Sequence, residues 1–329
     1  MRYLVLGSNS FSGGSFIAYL LEHEIESEVF AVSRSKEYEK ALLTYKNHPK
    51  AANVTFYQYD LNRDLEQILL LIEEYKIEYI VNFAAQGMVA QSWENPAQWI
   101  ETNTLSLTKL LSKIYKFPFI QRFVQASTPE VYGASLDIKE SMCMAPSSPY
   151  AASKAAADMM LYSYFKTHAF PVCFTRSANV YGRYQQLYRI IPKTIMMIHK
   201  SEQLELHGGG LATRSFIHID DVSHATLKIL KEGKNGEIYH ISSTKSITIC
   251  NLVDVICQEM GVSFEKSVKV GIPRASEDTI YLMNADKLEN ELSVTPQVSL
   301  LDGIRDVIEW IERDFEILKE FPDFYIHKH

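Results

Sequence analysis

Tyr150 and Lys154 lie four residues apart in the run Tyr150-Ala151-Ala152-Ser153-Lys154, within a stretch of helical character. That spacing puts both side chains on one helix face, where an ammonium can lower a phenol's pKa and help anchor a ribose while the phenol handles a proton. Ser127 and Thr128 precede them, directly after a strand-like run. Near the start, Gly7-Ser8-Asn9-Ser10-Phe11-Ser12-Gly13-Gly14 follows a first strand and opens an apolar helix; its spacing fits GxxGxxG with Ser10 in the middle glycine slot. A tight turn of small residues there lets the backbone around Gly7, Ser10, Phe11, Ser12 and Gly13 meet a pyrophosphate at the positive helix end, although an ordinary strand-to-helix connection has the same look.

After the second strand-like run the chain reads Ser33-Arg34-Ser35, where a dinucleotide site more often carries an acidic residue for the ribose hydroxyls. An arginine flanked by hydroxyls suits a ribose 2′-phosphate, which tilts the cofactor toward NADP over NAD; a solvated loop charge is the alternative. Asp60-Leu61 fits an adenine contact or, as the other reading, a helix N-cap.

These residues need a scaffold. Short β-branched or aromatic runs at 3–6, 29–32, 54–59, 79–83, 123–126 and 172–175 alternate with longer amphipathic stretches, such as the one after Pro96 that carries Ile100, Asn103, Leu107, Leu110, Leu111 and Ile114. Alternation of this kind predicts an α/β fold with a doubly wound, Rossmann-like parallel sheet, whose ligands sit beyond the carboxyl ends of the strands. Past residue 180 the pattern becomes irregular: a glycine triplet at 208–210, strands at 215–219 and 238–241, and helices from near Asp220, over 250–260 and over 300–318. The expected division is a dinucleotide-binding domain of residues 1–180 plus about 215–243, and a smaller interleaved substrate lobe of 181–214 and 244–329.

Composition narrows the class of ligand. The 329 residues carry 33 Lys+Arg against 40 Asp+Glu, a formal charge of −7, so a general nucleic-acid or anionic-membrane binder is excluded and any phosphate must be met locally. Cys143, Cys173, Cys250 and Cys257 form no CxxC pair, the histidines show no ligand spacing, and no apolar run approaches a membrane span. The expectation is a reduced, cytoplasmic protein without a metal, soluble from its first residue, with 327–329 a frayed end.

The chain resembles the extended short-chain dehydrogenase/reductases, and within them the nucleotide-sugar 4,6-dehydratases. The resemblance covers almost the whole chain. It rests on the opening turn, on the runs at 82–85, 96–103 and 127–133, on Tyr150 through Lys154, and on those at 179–182, 191–192 and 214–221, with Arg274 and 284–287 beyond. It implies that Tyr150 removes the sugar 4-hydroxyl proton as hydride passes from C4 to the nicotinamide, that Thr128 hydrogen-bonds that hydroxyl and that Lys154 tunes Tyr150. Glu130 then takes the C5 proton, the C6 hydroxyl leaves as water, and the hydride returns to C6, so the tightly bound cofactor is recycled. The resemblance further implies that Phe83, Ala84, Ala85, Asn103, Ser127 and Ser177 line the dinucleotide. Gln86, Met88, Ser92, Asn179, Arg189, Arg214, Arg274 and Asp278 would line the nucleotide sugar.

Two departures stand out. Pro129 replaces the aspartic acid that dTDP-glucose 4,6-dehydratases carry between the threonine and the glutamate; proline has no proton to donate, so Glu130 would act as base and then as acid. The loop at 86–92 is less polar than in those enzymes, which suits a modified hexose such as an N-acetylhexosamine. A 4-epimerase or uronate decarboxylase on the same scaffold, or a non-catalytic dinucleotide-binding protein, are the alternatives. In such enzymes the helices after Pro96 and around Ala155 pair with their copies in a four-helix interface, so a homodimer is expected.

Overall fold

All six strand-like runs form strands, because β-branched and aromatic side chains suit a sheet covered by helices on both faces. The computed structural model describes residues 1–133, 137–271 and 282–327. Through the first half, β1 (Arg2–Leu6), α1 (Phe11–His23), β2 (Glu28–Ser33), β3 (Val54–Gln58), α2 (Leu65–Glu74) and β4 (Tyr79–Asn82) follow in turn. The amphipathic stretch after Pro96 is α3 (Pro96–Ile100), a π-helical turn (Glu101–Leu105) and α4 (Ser106–Ile114). Then come β5 (Arg122–Ala126), α5 (Pro149–His168) and β6 (Val172–Ser177). Ser148 caps α5, its side chain accepting from the Ala151 amide, and Pro149 takes the first helical position, where its missing N–H costs nothing.

The second half contributes β7 (Asn179–Tyr181), α6 (Ile190–His199), β8 (Leu204–His207), β9 (Thr213–His218), α7 (Ile219–Glu232) and β10 (Ile238–Ile241). It closes with β11 (Ser246–Thr248), α8 (Ile249–Glu259), α9 (Phe264–Ser267), β12 (Val268–Gly271), α10 (Asp286–Leu292) and α11 (Leu300–Leu318). The central sheet has seven strands in the order β10-β6-β5-β4-β1-β2-β3, and every pairing in it is parallel. Leu6 pairs with Val32 on one side and Asn82 on the other, so the strand order reverses at β1, and the crevice between the ends of β1 and β4 is where such a sheet binds ligands.

Apolar faces of α1 and α7 cover one side of the sheet and those of α2, α4 and α5 the other. Tyr162, Tyr164 and Phe165 pack against this second core, as packing residues rather than a stacking platform. Of the segment 215–243, β10 joins the central sheet and α7 packs on α1, whereas β9 lies between β7 and β11 in a separate three-stranded sheet. Ile219, expected to end a strand, instead opens α7 after a His218 cap. A third core of α6, α8 and α11 stands under this end of the molecule, around Trp310. Among the described residues no helix is long and apolar enough to cross a membrane.

Candidate active site

The turn after β1 is shaped by contacts no larger residue could make. Gly7 has φ +82°, and a Cβ there would lie 2.6 Å from the Ala84 amide nitrogen; one at Gly13 would lie 2.3 Å from the Gly7 carbonyl oxygen. Ser10, in the middle glycine slot, is the N-cap of α1: its hydroxyl donates to Gly7 O at 2.6 Å and accepts from the Gly13 amide at 3.0 Å. The first amides of α1, at Phe11 and Ser12, have no acceptor within the helix and face the crevice end, so the turn fits a pyrophosphate.

The loop carrying Ser33, Arg34 and Ser35 is pinned from both sides. Asn9 Nδ2 donates to Ser35 O, Ser35 Oγ and Lys36 O at 3.2, 3.0 and 2.8 Å, and Gln58 donates to the Arg34 carbonyl at 3.2 Å. The nearest following carboxylate, Glu37, is engaged by Tyr45 and Lys46 at 2.7 and 2.8 Å. Asp60 does not cap α2, which starts after Asp64. Its carboxylate instead accepts from the Asn62 amide, and Asn62 reaches across to Thr102 and Ser106. Leu61 beside it is a buried core residue.

At the end of β4, Asn82 accepts from the Ala84 amide at 3.1 Å, which sets the course of Phe83, Ala84 and Ala85. Asn103 is buried in the π-helical turn and bridges two elements. Its Oδ1 accepts from Gln86 N at 2.8 Å, and its Nδ2 donates to Gln86 O at 3.0 Å and to Ser153 Oγ at 2.9 Å. Ser92 has a similar duty: it donates to Val89 O at 2.6 Å and accepts from the Tyr150 amide at 3.2 Å. The side chains of Asn103 and Ser92 therefore fasten the loop of Gln86 and half-buried Met88 to α5, a role the sequence did not reveal.

Tyr150 lies in the first turn of α5 and Lys154 one turn on. Lys154 is 3% exposed, its Nζ donates to Ala126 O at 2.7 Å, and burial pushes its pKa down to about 8. That carbonyl ends β5 immediately before Ser127 and Thr128, so the helix and the strand end meet at the ammonium. Thr128 caps the short turn Pro129–Tyr132, accepting from the Glu130 amide at 3.3 Å, which leaves its hydroxyl proton free to be donated elsewhere. Pro129 is buried at the first position of that turn, where a proline is well suited. Ser127 was expected along the dinucleotide, but its hydroxyl donates inward to Asp158 at 2.7 Å.

Toward the second half, Ser177 is half-buried at the end of β6, and Asn179 opens β7 with its amide on Ser215 O at 3.2 Å. Arg189 is exposed at the start of α6, its guanidinium over the Tyr188 ring, and Arg214 lies on β9. Arg274 and Asp278 lie outside the described residues. Of the frayed end expected at 327–329, His327 instead stacks on Trp99 and bonds Gln98 at 2.6 Å, and 328–329 lie outside the described residues; before it, Asp323 pairs with Lys200 at 2.8 Å and Tyr325 packs edge-on against Tyr188. The segment 321–327 thus runs from α6 to α3. Among the described residues no cluster of His, Cys, Asp or Glu could hold a metal, and all four cysteines are free.

Known proteins resemble this chain in sequence and in fold. A human dTDP-D-glucose 4,6-dehydratase is 33% identical over 95% of this chain and 91% of its own length. The dTDP-glucose 4,6-dehydratase DesIV of Streptomyces venezuelae, solved with NAD and TYD bound, superimposes with a TM-score of 0.87 at 31% identity, over 96% of this chain and 98% of that one. The UDP-glucose 4-epimerase of Thermotoga maritima, 24% identical with a TM-score of 0.85 over 96% of this chain and all of its own (100%), shares the fold. The sequence profile of GDP-mannose 4,6-dehydratase matches residues 4–307, and the chain belongs to that family of extended short-chain dehydrogenase/reductases.

Proposed function

We propose that this protein is a nucleotide-sugar 4,6-dehydratase, converting a nucleotide-diphosphate hexose to its 4-keto-6-deoxy form with loss of water. The observation that carries the reading is the meeting of Lys154 with the end of β5, which brings the Tyr150 helix against the Thr128–Glu130 segment beside the ligand crevice. When bound, a nicotinamide dinucleotide supplies the oxidation at C4 and the matching reduction at C6, held by the turn at Gly7, Ser10 and Gly13 and by Lys154.

Tyr150 accepts the proton of the sugar 4-hydroxyl, and the neighbouring ammonium favours its phenolate. Thr128, its oxygen already accepting from the Glu130 amide, donates to the sugar oxygen at C4 and fixes its place. Once C4 is a ketone the C5 hydrogen is acidic, and Glu130 removes it. The same carboxyl returns that proton to the departing C6 hydroxyl, because Pro129 has none to give, and C5 takes a new proton from solvent as C6 is reduced.

NAD is bound in the solved relative, yet the 33–36 loop here carries Arg34 and no carboxylate, and Glu37 is already engaged, so NADP is the cofactor we propose. The half-buried Met88 and exposed Ala90 of the sugar-facing loop favour an N-acetylhexosamine. Ile100, Leu105 and Met159 expose apolar side chains on neighbouring helices, which fits a four-helix homodimer. Four unpaired cysteines fit a cytoplasmic protein, and the dinucleotide lobe we propose takes in α7 and β10 from 215–243, while β9 sides with β7 and β11 in the other lobe.

The test is a panel of dTDP-, UDP-, GDP- and CDP-hexoses in deuterated water, read by mass spectrometry. One deuterium at C5 of a 4-keto-6-deoxy product is expected. A 4-epimer without water loss, release of CO2 from a uronic acid, or no product from any member overturns the proposal.

A further inference from the structure

Behind the site lies a buried ion pair that the mechanism leaves unused. Asp158, one turn after Lys154 on α5, and Arg176 of β6 both have fully buried side chains, with Arg176 NH2 3.0 Å from Asp158 Oδ2. The same oxygen accepts the Ser127 hydroxyl at 2.7 Å. On its other side the Arg176 guanidinium lies 4.4 Å from the centre of the Tyr132 ring, and it donates to Ser141 O at 2.8 Å. Tyr132 in turn meets His240 at 2.7 Å and belongs to the short turn that holds Glu130.

Buried ion pairs add little stability over an apolar pair of the same shape, because desolvation offsets their attraction. This one touches each piece of chain that carries a reacting group. Ser127 precedes Thr128, Tyr132 follows Glu130 by two residues, and Asp158 follows Lys154 by one helical turn. We propose that Asp158, tied to Arg176 and Ser127, is a positioning residue that keeps Lys154 charged and holds the Thr128–Glu130 segment in register with Tyr150. The inference rests on the role given to Lys154 above. Burial lowers the Lys154 pKa and the Asp158 charge opposes that shift; burial likewise raises the Asp158 pKa, against Arg176, the Ser127 hydroxyl and Lys154. The titratable groups around the pair are Lys154 on α5, Tyr132 on the turn, and, past Arg176, His240 on β10 with Glu140 beside it.

Without the anion the ammonium loses its proton at lower pH, so activity that needs charged Lys154 fails sooner as pH rises. In Asp158→Asn the alkaline limb of kcat is expected to move down by about one pH unit or more from near 8, with kcat at neutral pH down about tenfold and KM nearly unchanged. Lys154→Arg, which cannot titrate in this range, is expected to lose the limb.

Titration of Lys154 by its ε-carbon resonance, in protein labelled at lysine and assigned by its loss in Lys154→Arg, reads the same shift without substrate. A shifted resonance in a protein that converts no nucleotide sugar sinks the proposed activity and leaves this inference standing. A lowered melting temperature with the limb and the resonance unmoved assigns Asp158 a structural duty alone and overturns it. Should Asp158→Asn not fold, Asp158→Glu keeps the anion on the same helix position and is expected to keep the limb and the resonance near their wild-type pH, whereas a limb that moves down in Asp158→Glu as well counts against the inference.

Discussion

Replacing Asn103 by alanine should be among the most damaging single changes away from the reacting groups. Its side chain makes three hydrogen bonds, two to the backbone of Gln86 and one to Ser153 Oγ, and it is 3% exposed. Alanine leaves the Gln86 amide and carbonyl and the Ser153 hydroxyl without that partner in a buried place. At about 1–1.5 kcal/mol for each of the three lost buried bonds, the cost is about 3–4.5 kcal/mol. Thr104→Val offers an internal scale, since Thr104 makes a single bond to Ser153 O at 2.8 Å and should lose about 1 kcal/mol. Urea denaturation followed by circular dichroism measures both. The loop 86–92 also meets Tyr150 through Ser92, so kcat/KM of the folded Asn103→Ala protein should fall beyond what its unfolded fraction explains. A loss below about 1 kcal/mol, or a ranking with Thr104→Val the worse, would refute the view that one asparagine fastens this loop to α5.

Glu130→Gln should oxidise C4 and then stall, leaving reduced nicotinamide visible by its near-ultraviolet absorbance while product formation drops about 10²- to 10⁴-fold; undiminished elimination removes Glu130 from the proton steps. Arg34→Asp should weaken NADP about 10- to 100-fold and leave NAD unharmed, measured by direct binding; an equal loss for both nucleotides places Arg34 away from the 2′ position. Gly7→Ala combines a left-handed backbone with a Cβ 2.6 Å from the Ala84 amide nitrogen, so about 2–5 kcal/mol of stability should be lost in the same denaturation assay.

Much of the scaffold was legible because local and global signals agree. The helix at 300–318 has a Ser299 cap and an apolar face, and it forms over those very residues. Five of the six predicted strands read as near-continuous apolar runs, as strands buried on both faces must, while the edge strand β3 is only partly covered. The Tyr150–Lys154 spacing needs nothing but a helix to become a shared face. What stayed hidden depends on which distant pieces meet. Ser92, Asn103 and Ser127 are residue types that suit a ligand equally well, and only their folded neighbours show their side chains bonded within the protein. Asp158 and Arg176 sit on consecutive elements, and no local pattern reveals that their side chains converge. The π-helical turn at 101–105 is also silent in the sequence, because one widened turn barely alters the apolar spacing. It does let consecutive residues, Asn103 and Thr104, both reach Ser153.

The docking of His327 on Trp99 gives the molecule an optical property of its own. The rings lie 5.2 Å apart and 7° from parallel, while Trp93 is largely exposed and Trp310 is buried in another core. Trp99 is fully buried, so loss of the stacked His327 ring would admit water to the indole and shift its emission to the red, which couples the fluorescence of one tryptophan to the position of the chain end. With Trp93 and Trp310 replaced by phenylalanine, emission from Trp99 would follow the release of the segment 321–327 in real time, without an added label.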